Sequence, residues 1–118
     1  LWAGAAPERL GNAQRLIDEA EERLISTATT WEVVIKAALG KARLDMPIGE
    51  WIQRSLRELA AQSLPITNEH AAAVAELQPI HRDPFDRMLI AQARQESALL
   101  LTADKALEPY GAGVHVIS

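Results

Sequence analysis

Apolar positions recur at helical spacing in several blocks of the chain. In residues 47–61 (PIGEWIQRSLRELAA), Ile48, Trp51, Ile52, Leu56 and Leu59 form one stripe with charges opposite, which predicts an amphipathic helix with Pro47 in its first turn. Residues 7–23 (PERLGNAQRLIDEAEER) repeat the pattern through Leu10, Ala13, Leu16, Ile17 and Ala20. Further helices are predicted over 29–39, stopped by Gly40, over 67–77 capped by Thr67, and over 84–96. Between them lie short apolar runs read as strands: 24–28, 63–66, 98–102 and 114–117. Pro65 assigns the second of these to a sheet edge.

Strands with little alternation, each separated from the next by helical stretches, predict an α/β fold: a buried parallel sheet flanked by helices. In such sheets, ligands gather at the carboxyl ends of the strands, where the strand order reverses. The 118 residues suit one domain. No apolar run approaches the length of a membrane span. With no cysteine, thiolate and disulfide chemistry are excluded, and a reducing cytoplasm is compatible. The three histidines, His70, His81 and His115, share no zinc-ligand spacing, and His81 reads as a loop hydrogen-bonder. A net charge of −4 argues against broad phosphate binding by the bare surface, although a cation held by carboxylates reverses the field locally.

The candidate chemistry lies in acids, each with a structural alternative. Thr29 and Glu32 fit a capping box. In Asp83-Pro84-Phe85-Asp86, Asp83 suits an N-cap and Asp86 the favoured third position of the first turn. Asp104 can cap the turn 105–107. Yet Glu32 and Asp104 follow predicted strands, and Asp86 opens the helix leading into one. If those strands are parallel neighbours, three carboxylates crowd one sheet edge, and an oxygen-preferring divalent cation relieves their repulsion. Lys36, four residues after Glu32, is either its ion-pair partner or a phosphate contact. Arg87, beside Asp86, either neutralises the acids or contacts a substrate. Trp31 and Trp51 are assigned to core or dimer contacts.

The stretches TTWEVVIKAALGK (29–41), HRDPFDRMLIAQA (81–93) and LLTADKAL (100–107) resemble the PIN-domain family, and within it the VapC-type toxins of toxin–antitoxin pairs. That resemblance implies a three-layer α/β sandwich and a Mg²⁺- or Mn²⁺-dependent endoribonuclease. Glu32, Asp86 and Asp104 then correspond to family acids that hold metal, with Thr102 and Asp83 supporting them and Lys36 and Arg87 as substrate contacts. It also implies an RNA substrate, a VapB-type antitoxin inserting a C-terminal segment into the acidic groove, and a homodimer. The family's first acid ends an N-terminal strand just before the Leu-Trp found here at Leu1-Trp2. Losing that strand would open a gap in the core, so the expectation is an N-terminally incomplete domain, with Trp2 packing under the following helix. A PIN-like module that binds RNA or a protein without cleaving is the alternative.

Overall fold

Serine at position 26 sets the start of the first long helix. Its hydroxyl accepts the Ala28 N–H at 3.0 Å, so the helix begins at Thr27 and the preceding strand stops at Ser26. The expected strand to 28 and helix from 29 are thus corrected: the β-branched threonines imitate a strand, but a buried cap overrides them. A computed structural model describes residues 2–3, 14–111 and 113–117. Its elements are β1 (Trp2–Ala3), α1 (Gln14–Glu19), β2 (Leu24–Ser26), α2 (Thr27–Ala38), α3 (Ile48–Leu59), β3 (Gln62–Leu64), α4 (Asn68–Ala73), α5 (Pro84–Gln95), β4 (Leu100–Thr102) and β5 (Val114–Val116). Single 3₁₀ segments follow α4 (Val74–Glu76) and β4 (Lys105–Tyr110).

The sheet is parallel throughout, in the order β3-β2-β1-β4-β5. Order reverses at β1, so the crevice between the carboxyl ends of β2 and β4 is where this topology opens a site. Trp2–Ala3 occupies the central position, paired to Ile25 on one side and to Leu101 and Thr102 on the other. The side chain of Trp2, and Leu10 and Ala13 of the predicted first stripe, lie outside the described residues. As anticipated, β3 is an edge strand, and Pro65 follows it.

Alternation along the strands feeds two cores, one on each face of the sheet. Leu100 joins Ala28, Leu89, Ile90, Ala93, Leu107 and Tyr110 beneath α2 and α5. Its neighbour Leu101 turns the other way, to Ile17, Ile25, Leu59 and Ile117 beneath α1 and α3. Helix, sheet and helix layers therefore form the PIN-like sandwich. Gly40, at φ +72°, closes α2 as predicted, with the Lys41 N–H returning to Lys36 O at 2.9 Å. No helix among the described residues is long and apolar enough to cross a membrane.

Candidate metal centre

Three chain segments deliver acids to the crevice. Asp83 caps α5: its Oδ1 accepts the N–H groups of Phe85 (2.8 Å) and Asp86 (3.2 Å), and Pro84 takes the first helical position. That cap aims Asp86 from the first turn of α5 into the crevice, where its side chain is only 19% exposed. Asp104 follows β4. Its Oδ1 accepts the Ala106 N–H at 2.9 Å, while its own N–H donates to the Thr102 hydroxyl at 3.1 Å. Thr102 is buried, so it fixes the backbone from which Asp104 projects.

Glu32 sits in the second turn of α2, past the reach of a capping box. With Ser26 as the cap, Thr29 becomes a buried residue whose hydroxyl has no partner, and that explanation of Glu32 is withdrawn. The alternative with Lys36 remains, as an open contact of 3.9 Å with the lysine side chain 53% exposed.

Electrostatics report how close these groups stand. Burial, with repulsion from Asp83, Glu32 and Asp104, raises the Asp86 carboxyl to about 6, against a lowering by His81. Burial also raises Glu32, with Lys36 opposing and Asp83 adding to the rise. The expected crowding of carboxylates at one sheet edge is thus present. Hard oxygen donors that repel one another suit Mg²⁺ or Mn²⁺.

His81 stands inside this group, which its reading as a loop residue did not anticipate. It does hold the loop: its Nδ1 accepts the Asp83 N–H at 3.1 Å, and its own N–H donates to the Tyr110 hydroxyl at 2.9 Å. The ring also lies between Asp86 Oδ2 (3.8 Å from Nδ1) and Asp104 Oδ2 (3.7 Å from Nε2). Donor atoms of His81, Asp86 and Asp104 all fall within 4.8 Å of one another. The available signal was its place two residues before a cap, which folds the side chain back over the helix start.

Arg87 turns its donors to the protein. Its guanidinium donates to the carbonyls of Gln78 (3.1 Å), His81 (3.4 Å) and Val74 (3.2 Å), bracing the loop before α5. Of the two assignments for Trp31, core or dimer contact, the core is corrected: it is 60% exposed, edge-on to Phe85 with ring centroids 5.2 Å apart. Trp51 is half-buried. Arg82, Lys41, Arg43 and Lys105 remain exposed.

Asp83→Asn separates capping from charge. The amide oxygen keeps the cap, so the melting temperature should stay within about 2 °C of wild type. Removing the repulsion should lower the Asp86 pKa from about 6, read by NMR titration of its carboxyl. Unchanged stability without that shift would show Asp83 to be a cap alone.

The sequence model of the family described as the PIN domain matches residues 2–112. Ribonuclease VapC22 of Mycobacterium tuberculosis (strain ATCC 25618 / H37Rv) is 29% identical over 111 residues, covering 92% of this chain and 84% of that protein.

Proposed function

The chain belongs to the PIN domain family, and on that premise we propose that it is a divalent-metal-dependent endoribonuclease, the toxin of a toxin–antitoxin pair. The similarity to a protein named a ribonuclease supports the activity. The observation that supports the metal is geometric: Asp86 and Asp104 offer oxygens within 4.8 Å of each other in the crevice, and burial with repulsion from neighbouring acids raises the Asp86 carboxyl to about 6.

Glu32, Asp86 and Asp104 would hold Mg²⁺ or Mn²⁺. Bound there, the ion supplies an activated water and stabilises charge on the attacked phosphodiester. The protein's residues do the rest. Asp83 holds Asp86 at the mouth of α5, and Thr102 steadies Asp104. Half-burial limits the water that would otherwise screen the acids. Lys36, its side chain 53% exposed and 3.9 Å from Glu32, would exchange that open contact for a substrate phosphate. In-line attack by water on phosphorus breaks the P–O3′ bond, and the departing 3′ oxygen takes up a proton. The products are a 5′-phosphate and a 3′-hydroxyl.

The toxin would meet RNA in the cytoplasm, act as a homodimer, and be restrained by a VapB-type antitoxin seated among the carboxylates. A second reading is a PIN-like module that binds RNA or a protein partner without cleaving. Cleavage of a mixed RNA pool separates the two. Turnover in Mn²⁺ that EDTA abolishes, by at least about 100-fold, is the expected result. RNA and metal binding with no turnover would select the second reading.

A further inference from the structure

We propose that His81 is a positioning residue of this metal centre: its Nε2–H is aimed at Asp104 Oδ2, and its ring is not itself a ligand. The inference rests on the metal-centre reading above and goes beyond it in assigning a role to a group outside the acids. Donor accounting carries it. A neutral imidazole has one N–H and one acceptor nitrogen. The Asp83 backbone N–H points at Nδ1 from 3.1 Å, so Nδ1 is the acceptor and the proton resides on Nε2. Ligation through Nε2 would require the proton on Nδ1, setting two donors face to face. Ligation through Nδ1 would require the lone pair that the Asp83 amide already occupies. The protonated ring meets the same conflict.

The Asp83 amide holds the ring at Nδ1, and the backbone that carries it is held as well. Its backbone is fixed on both sides, by the Tyr110 hydroxyl at 2.9 Å and by Arg87 on the carbonyl at 3.4 Å. Tyr110 in turn donates to Gln78 O at 3.2 Å. Nε2–H therefore faces Asp104 Oδ2 at 3.7 Å, an electrostatic contact longer than a hydrogen bond, as is common in catalytic sites without their ligands. Because Asp104 Oδ1 is committed to the Ala106 N–H, Oδ2 is the oxygen left to face a cation. His81 thus selects the orientation of Asp104, as outer partners of ligating carboxylates do.

Two substitutions divide the functions of the ring. Gln can carry an N–H donor to the place of Nε2, while Asn can carry an acceptor oxygen to the place of Nδ1. Mn²⁺ binding, measured by titration calorimetry on wild type, His81→Gln and His81→Asn, should weaken by no more than about threefold in Gln and by about tenfold or more in Asn. Pulsed paramagnetic resonance of the wild-type Mn²⁺ complex should show no nitrogen bound directly to the ion. The reverse order, Asn near wild type and Gln weakened, would overturn the proposal in favour of loop bracing through Asp83. Direct nitrogen coupling would overturn it in favour of a histidine ligand, and two unaffected variants would leave His81 without a role. Wild-type protein that binds no Mn²⁺ would overturn the metal-centre reading itself.

Discussion

Asp86→Asn should abolish RNA cleavage and at the same time make the metal-free protein more stable at pH 7. The loss of activity, about 100-fold or more, follows from removing a charged ligand at the centre of the cluster. The gain in stability follows from the sign of the pKa shift. Asp86 titrates near 6 in the folded protein and near the ordinary 3.8 when unfolded. Between these values the folded state binds the extra proton, so this group's contribution to stability falls as pH rises from about 4 to about 6. At pH 7 the ionised, crowded carboxylate costs stability that a neutral amide does not. Water and salt reach the site, which limits the gain to about 1 kcal/mol, and the lost charge in the first turn of α5 offsets part of it. A rise of about 2–4 °C in melting temperature at pH 7 is expected, vanishing near pH 4. Added Mn²⁺ should raise the melting temperature of wild type and leave the variant unmoved. An Asp86→Asn protein that melts earlier at pH 7 than wild type would contradict this account of the site.

Gln92→Leu should cost the most stability, and it should do so at a distance from the acids. Gln92 is fully buried on α5, and its side-chain oxygen accepts the Ser26 hydroxyl, the group that caps α2. Its amide donates to Pro65 O and contacts His70 Nδ1, each at 3.4 Å. Beyond it, His70 Nε2 lies 3.0 Å from Glu96 Oε2 near the surface. Leucine matches the volume but leaves the buried Ser26 hydroxyl proton without its acceptor and takes a donor from the Pro65 carbonyl at the rim of the core. At about 1–3 kcal/mol for each such group, the loss should be about 2–4 kcal/mol, or roughly 10–20 °C in melting temperature. Because the Ser26–Gln92 bond ties α2 to α5, the helices that carry Glu32 and Asp86, Mn²⁺ affinity should fall as well. Chemical denaturation with a parallel metal titration tests both. Full stability in Gln92→Leu would show this network to be incidental.

The sequence disclosed what its neighbours in the chain determine. Helix α3 follows from one apolar stripe, and α5 with its cap follows from Asp83-Pro84-Phe85-Asp86, since all the groups involved lie within a few residues. Pro65 pointed to the edge position of β3, although it stands just past the strand's end. Other features depend on contacts between distant segments. The start of α2 was misread because Thr29 offers a plausible local cap, while Ser26 wins through burial against Gln92, sixty-six positions away. The central place of Trp2–Ala3 is set by pairing with β2 and β4, and two residues carry no periodicity from which to infer it.

Within the candidate site, the meeting of Asp86 and Asp104 was legible once parallel strands were assumed, because Asp104 follows a strand end and Asp86 opens a helix, whereas Glu32 stands a turn further into α2. His81 was not, since its approach to Asp104 depends on the fold of the loop over 78–82, which Arg87 and Tyr110 hold by long-range hydrogen bonds.

The account turns on water, activated at a metal held by carboxylates, attacking phosphorus. The chemistry of the cut ends tests this most directly. RNA cleaved by the protein in Mn²⁺ should carry 5′-phosphates and 3′-hydroxyls. A 2′,3′-cyclic phosphate with a 5′-hydroxyl would mean attack by the ribose itself, and would contradict the central claim.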